Sequence, residues 1–571
     1  MHPHHTSPIS LDKKIELSVN KEKVQPPADY QVLLHAISSC AVPVIQQLLS
    51  LNQSLIHIKG WHGQTPLHRA CLGGDWNVCF VILQAGADAN VKNDFDETPV
   101  HYVCKRGVSS LAHLLFQYGG DFSAVDKQGK SVVHHAAQTG SVYMLHYLAI
   151  RGIDLDAWDS TPQTPLHIVC QFGHVDAFKY LIRKQRSDPS LTDNDGNTAL
   201  HLVAREGHSY MCWLLLARGS CAQLHKCNKA GLKPLDMAEH RDKIGHREIV
   251  PILKYYSNMK DHSHRPDGPV FYWYWSLIMP AFTFSVAILL ARMWGNSHQG
   301  LVFFIWMVGI MWDILRNRQH RLKHVCRWAD PVYAGMFGAG LLHSIVVYFF
   351  VISPQISQHV VMLCLSLIGT GSLLAIYWKV LTQPPGEAQH SILNEQTGLP
   401  MTLIDVCHPQ AKSDAFCISC EIIRTRKTKH CKICEKCYIH MDHHCLFLMR
   451  CVAHRNHRTF IWFSIIVVLS IIMFIVNAVL YCNVQYHGQT YTELLTGLYH
   501  QDAWVLSMLF MNLVSLLWGL NLLKYQLFLV SVGQTTVFQS RDTALTTVER
   551  VLNVAYFLQG KQPFVEDPLL V

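Results

Sequence analysis

Between Cys417 and Cys451 the chain carries seven cysteines and four histidines in 35 residues. They run Cys417-x2-Cys420, His430-Cys431-x2-Cys434-x2-Cys437, His440, Asp442-His443-His444-Cys445 and Cys451. A Cys-x2-Cys pair aims two thiolates from one tight turn at a small ion, and a structural zinc is closed by four Cys or His ligands. Two sites need eight ligands; eleven candidates are present, so up to three are left over. Spacing alone does not say which ligand belongs to which site. The surplus falls on Asp442-His443-His444-Cys445. A thiolate attacks where a thiol does not, a neighbouring imidazole can take its proton, and a carboxylate can fix that imidazole's tautomer. Lying beside a bilayer in the cytosol, such a thiolate meets one abundant electrophile, the thioester of a long-chain acyl-CoA. Attack gives an acyl-cysteine and free CoA, and a thiol on a substrate protein can then take the acyl group.

The bilayer is inferred from the flanks. Apolar runs occur at about 270–290, 300–315, 332–351 and 360–381, and after the cysteine segment at about 460–482 and 504–532. Most have the ~20 residues that a membrane crossing requires; the second is short and carries Asp313. The loop after the second run holds Arg316, Arg318, Arg321, Lys323 and Arg327, whereas Ser353–His359 and Asn483–Ala503 have no Lys or Arg. Positive charge marks the cytoplasmic side, so six spans leave both termini and the cysteine segment in the cytoplasm. The 19 cysteines and the polar start, Met1-His2-Pro3-His4-His5, favour reduced, metal-holding cysteines over a secreted disulfide framework. The formal charge of +8 comes with no basic stripe or docking motif, and no nucleic-acid partner is expected.

The first half repeats every 33 residues. Thr65-Pro66-Leu67-His68, Thr98-Pro99-Val100-His101, Ser131-Val132-Val133-His134, Thr164-Pro165-Leu166-His167 and Thr198-Ala199-Leu200-His201 keep step with Gly74, Gly107, Gly140, Gly173 and Gly207. Lys233-Pro234-Leu235-Asp236 and Leu34-His35-Ala36 are weaker copies. This resembles the ankyrin repeat, whose helix pairs bury their apolar faces only by stacking. A Thr or Ser suits the helix cap and Pro the first helical position. The recurring histidines read as hydrogen-bonding links between loops, and the stacked array as a surface for protein partners.

The Asp442-His443-His444-Cys445 run in its cysteine-rich setting resembles the DHHC protein S-acyltransferases (palmitoyltransferases). The ankyrin array and six spans resemble the family's ankyrin-bearing, huntingtin-interacting-protein type. The resemblance implies two structural zinc ions, one held by Cys417, Cys420, His430 and Cys437, the other by Cys431, Cys434, His444 and Cys451. It implies Cys445 as nucleophile, His443 as general base and Asp442 as its orienter, leaving His440 as a surface residue. Acyl-CoA (palmitoyl-CoA) is the implied donor, with Arg424, Arg426, Lys427 and Lys429 as candidates for its phosphates; anionic lipid headgroups would suit them equally. A Golgi or related vesicle membrane is implied in the same way. The family's Thr-Thr-x-Glu motif has two candidates, Thr546-Thr547-Val548-Glu549 and, nearer the membrane, Gln534-Thr535-Thr536-Val537. Departures also occur: Leu446-Phe447 stands for Pro-Trp, Pro384-Pro385-Gly386 for Asp-Pro-Gly, and Ala453 for Gly.

The expected fold is all-α: a disordered 1–29, an ankyrin solenoid at 30–260, spans one to four at 269–382, a two-zinc domain at 383–459, spans five and six at 460–533, and a cytoplasmic tail at 534–571. Three rival readings were weighed. An adaptor would keep the zinc fold and ankyrin grip with little transfer. A six-span channel lacks a pore segment in Asn483–Ala503. A zinc-binding ubiquitin ligase does not suit the interleaved spacing.

Overall fold

The computed structural model describes residues 28–183, 186–217, 220–239, 244–258, 271–293, 331–388, 401–407, 416–424, 427–538 and 546–560, with Ile305, Gly309 and Trp312 between. The chain divides into two compact units, Met1–Ala177 and Phe178–Val571.

The first unit stacks helix pairs: α1 (Ala28–Ser38) with α2 (Val42–Leu51), α3 (Pro66–Gly73) with α4 (Trp76–Gln84), α5 (Pro99–Arg106) with α6 (Ser109–Gln117), and α7 (Val132–Thr139) with α8 (Val142–Ile150), followed by α9 (Pro165–Phe172). The first helices of successive pairs pack on one another, burying Leu67, Val100, Val133 and Leu166. Each TPLH-type phrase opens a helix. The Thr65 N–H donates to His68 Nδ1 at 3.1 Å, so the ring proton sits on Nε2 and is donated to the Glu97 carbonyl of the next loop at 3.2 Å. His134 repeats the link to Gln163. Burial, first, holds these imidazoles below their ordinary range, and His101 falls to about 4 through burial and the neighbouring His135. They are neutral structural groups. His35 differs: it is exposed on α1 and opens no helix. The first helices α3, α5, α7 and α9 each end at a left-handed glycine; Gly107 has φ 81° and lies against Ser141.

α10 (Val175–Ile182) runs across the boundary, and the second unit goes on with helices of the same kind, α11 (Ala199–Glu206), α12 (Ser209–Ala217), α13 (Pro234–Glu239) and α14 (Ile244–Ser257). His201 again links its loop, to the Leu232 carbonyl at 3.2 Å. Then come α15 (Phe271–Met293), a 23-residue apolar helix with Pro280 inside it, and, among the described residues, four helices long and apolar enough to cross a membrane: α16 (Val332–Gln355), α17 (Val360–Thr382), α18 (His457–Gln485) and α20 (Ala503–Ser531). The run at 300–315 lies almost wholly outside the described residues. The short α19 (Tyr491–His500) joins the last two, and α21 (Thr547–Gln559) packs on α20. Polar pairs tie the apolar helices together, as suits a medium without water: Asn477 to Ser366 at 2.9 Å, Asn512 to Ser344 at 3.1 Å, and Ser285 to the buried His343 at 2.8 Å.

Between α17 and α18 the described residues hold short strands beside one 3-10 turn, Ile404–Val406, which corrects the all-α expectation. Six short strands form three antiparallel hairpins: β1 (Phe416–Cys417) with β2 (Ile422–Ile423), β3 (Thr428–Cys431) with β4 (Lys436–Ile439), and β5 (His443–Cys445) with β6 (Arg450–Val452). Strands of two to four residues are too short to carry a readable alternation, and their hairpins are closed by the ligand clusters described next.

Candidate active site and zinc clusters

Each Cys-x2-Cys turn is closed by a backbone bond, Glu421 N–H to the Cys417 carbonyl and Glu435 N–H to the Cys431 carbonyl, with both glutamates in left-handed backbone. The ligands interleave because side chains on a strand alternate between faces. His430 and Cys431 are neighbours on β3, so they face opposite ways. His430 joins Cys417, Cys420 and Cys437; Cys431 joins Cys434, His444 and Cys451. Within each group every ligand atom lies within 4.8 Å of the others. His430 Nδ1 is 3.6, 3.3 and 3.7 Å from the Cys417, Cys420 and Cys437 sulfurs. His444 Nδ1 is 3.7, 3.3 and 3.5 Å from those of Cys431, Cys434 and Cys451. Zinc at about 2.3 Å from sulfur and about 2.05 Å from nitrogen, with tetrahedral angles, places those two atoms about 3.6 Å apart. The donor sets therefore fit closed structural zinc sites, with no position left open for water.

The same alternation separates chemistry from metal on β5. His444 faces the second cluster; His443 and Cys445, two residues apart, share the other face. Cys445 is 6 % exposed and packs with Val380, Phe460, Phe463 and Val530 at the ends of α17, α18 and α20. The His443 ring lies edge-on to Phe460 at 5.3 Å. Its Nδ1–H donates to Asp442 Oδ2 at 2.6 Å. Burial disfavours the imidazolium, but Asp442 and the Cys445 sulfur outweigh it and push His443 up to about 9. Asp442 is fully buried; burial alone would raise its carboxyl, yet the bonds from His443 and the Thr536 N–H hold it well below the usual carboxylate range.

Comparison with known proteins agrees with this geometry. Residues 410–542 match the family profile described as DHHC palmitoyltransferase, and residues 74–159 and 166–263 match that for ankyrin repeats (3 copies). The chain is a DHHC-type protein S-acyltransferase with ankyrin repeats. No curated protein matches it. Among solved structures, the human ASB11 ankyrin repeat domain is 22 % identical, covering 40 % of this chain and 99 % of its own, with a TM-score of 0.36. The Bcl-3 ankyrin repeat domain is 23 % identical, covering 39 % and 97 %, with a TM-score of 0.33.

One side chain of the acyltransferase site, Arg450, lay outside the sequence reading. Arg450, paired in register with Cys445, donates to the Leu381 carbonyl at the end of α17, where a cation opposes the helix dipole. Asn456 is fully buried: its Oδ1 accepts the Ala453 N–H at 2.8 Å and its Nδ2 donates to the Cys451 carbonyl at 3.0 Å. Of the two Thr-Thr segments, the membrane-proximal one reaches the site. The Thr536 N–H donates to Asp442 Oδ1 at 2.7 Å and Thr535 Oγ1 to the Met441 carbonyl at 3.1 Å. Thr546 instead caps α21 against Glu549. Phe447, at the family's Trp position, stands among Trp518 at 5.0 Å and Tyr333 at 6.0 Å. Gly386, at φ 97°, lies against Arg455, where its missing side chain is needed. Lys429 is exposed, Arg424 and Lys427 are half-buried, and Arg426 lies outside the described residues. His440 is half-buried rather than a surface residue, its ring 6.0 Å from His454.

Proposed function

We propose that this acyltransferase moves a long-chain fatty acyl group, palmitoyl, from acyl-CoA to cysteines of substrate proteins through a thioester on Cys445. The observation that carries the reading is the shared face of β5, where His443 and Cys445 meet the apolar helix ends with Asp442 behind the imidazole. In the reactive form the Cys445 proton rests on His443, which is pushed up to about 9. The Cys445 sulfur attacks the thioester carbonyl, the carbon–sulfur bond to CoA breaks, and the leaving CoA sulfur takes the proton from His443. The substrate thiol then gives its proton to His443, its sulfur attacks the acyl-Cys445 carbonyl, and Cys445 leaves as the thiolate. His443 thus serves as acid in one half and base in the other.

Cys417, Cys420, His430 and Cys437 would hold one zinc, and Cys431, Cys434, His444 and Cys451 the other. Bound there, the metal fastens short hairpins that have too little core of their own. Arg424, Arg426, Lys427 and Lys429 are assigned to CoA phosphates. The chain is taken to cross an endomembrane, Golgi or associated vesicles, six times, with ankyrin repeats, zinc domain and tail in the cytoplasm. The domains fall at residues 30–260, 269–382, 383–459, 460–533 and 534–571. Repeats that grip a substrate protein raise the effective concentration of its thiol at the membrane surface.

The test is labelling of the purified protein with alkyne palmitoyl-CoA, wild type against Cys445→Ser. Label that hydroxylamine releases and the variant lacks is expected. Absence of label from wild type that holds two zinc ions would replace this reading with the adaptor, and Leu446 and Phe447 would be the first positions to revert.

A further inference from the structure

The Asp442 carboxylate receives three donors, and one comes from within the last apolar helix. Oδ2 takes the His443 Nδ1–H at 2.6 Å and the Gln526 side-chain amide at 3.0 Å; Oδ1 takes the Thr536 N–H at 2.7 Å. An ionised carboxylate only accepts, so the end of Gln526 that faces it is the NH2. The Gln526 carbonyl oxygen then faces His457 Nε2 at 3.2 Å, which must be the protonated nitrogen. Each assignment forces the next. All three side chains are buried, Asp442 at 0 %, Gln526 at 2 % and His457 at 4 % exposure. Burying a glutamine in an apolar helix is costly unless both ends are bonded, and here both are. The His457 ring lies 5.2 Å from Phe557 of α21, so the chain of contacts that ends at the carboxylate joins β5, the end of α20, the start of α18 and α21.

We propose that Gln526, held in orientation by His457, is a positioning residue that aims the Asp442 carboxylate at His443 and so links the seating of α20 to the reactivity of Cys445. The proposal rests on the acyl-transfer reading above. Gln526 touches neither Cys445 nor a zinc ligand among the described contacts. Besides Asp442 it meets His457 and, at 3.4 Å, the Thr536 hydroxyl, so its route to Cys445 runs through Asp442.

The experiment uses full-length protein in detergent and four forms: wild type, Gln526→Met, Asp442→Asn and the double variant. Three quantities are measured: zinc content, the rate of hydroxylamine-labile labelling by alkyne palmitoyl-CoA, and the rate of Cys445 alkylation by iodoacetamide, read by peptide mass spectrometry. Losing a hydrogen bond to a charged group is expected to slow labelling and alkylation about tenfold, with two zinc ions kept and the KM for palmitoyl-CoA unchanged. In the Asp442→Asn background the same change is expected to have little further effect on the rates, because the carboxylate through which it reaches His443 is gone. A Gln526→Met rate within twofold of wild type overturns the proposal. So does an equal slowing in both backgrounds, the mark of a general packing defect. Should the methionine variant lose zinc, the near-isosteric Gln526→Glu, which sets carboxylate against carboxylate, answers the same question. Wild type without label would refute the acyl-transfer reading, while the alkylation rates would still decide the role of Gln526.

Discussion

Replacing Asp442 with asparagine should slow Cys445 without loosening the zinc domain. Asp442 is not in either ligand cluster, and its two oxygens accept three donors, two on Oδ2 and one on Oδ1. Asparagine has one acceptor oxygen, so in either flip at least one buried donor faces an NH2, at a cost of about 1–3 kcal/mol. The larger loss is the charge. A hydrogen bond from a charged group contributes about 1.5–3 kcal/mol, which is roughly one to two pK units. His443 now sits at about 9, so it should fall to between about 7 and 8, the Cys445 sulfur supplying the rest of its elevation. The sign follows: the imidazolium is complete below the folded value and is lost as pH rises through it, so the variant loses it one to two units earlier. At pH 7 the loss of imidazolium should slow labelling by no more than about twofold, and the gap should widen to about 10- to 100-fold above pH 9. Labelling rates from pH 6 to 10, with zinc content measured in parallel, provide the assay. A variant within threefold of wild type, with the same pH profile, would refute the argument that Asp442 acts through His443.

Three more outcomes are expected. Cys420→Ser should lower the metal content from two zinc ions to one, by emission spectrometry, and so should Cys434→Ser; only the second removes the cluster that shares β5 with Cys445, so it should abolish labelling outright. Gly107→Ala should destabilise its repeat by more than about 1 kcal/mol, since φ is 81° and the added carbon would sit 2.6 Å from Ser141 Oγ; hydrogen exchange in α5 to α8 should rise. His101, held at about 4 when folded against 6.5 unfolded by burial and then His135, makes the array acid-sensitive. The unfolded chain binds the extra proton between those values, so stability should fall by about 3 kcal/mol as pH drops from 6.5 to 4, and His101→Gln should flatten that part of the denaturation profile.

The repeats were readable because ankyrin units restate their cap, proline and glycine every 33 residues, and one period predicts the next. The exception is His35, whose repeat lacks the Thr-Pro opening that places the other histidines. Apolar runs gave four helices of membrane-spanning length among the described residues and α15 besides; the run with Asp313 falls outside them. In the cysteine segment the number of ligands was legible but their pairing was not, because four ligands drawn from two turns and two hairpins satisfy many spacings. Strand alternation supplies the rule: His430 next to Cys431, and His444 between His443 and Cys445, must face apart. Gln526 left a signal that went unread, an amide in an apolar run, which is expensive in a membrane helix unless something receives it. Phe447 could not be judged from its letter, since its setting depends on Trp518 and Tyr333, which are far away in sequence.

The three-residue β5 has a consequence for how this protein can vary. Its neighbours do unlike jobs, metal inside and chemistry outside, and only parity tells them apart. Exchanging a side chain damages one job. A single inserted or deleted residue that slips the register of β5 by one would turn His443 and Cys445 toward the zinc and His444 toward the helix ends, spoiling both at once. Genetic drift in this stretch should therefore proceed by substitution and almost never by change of length, and a library that varies residue identity there will yield folded proteins where one that varies spacing will not.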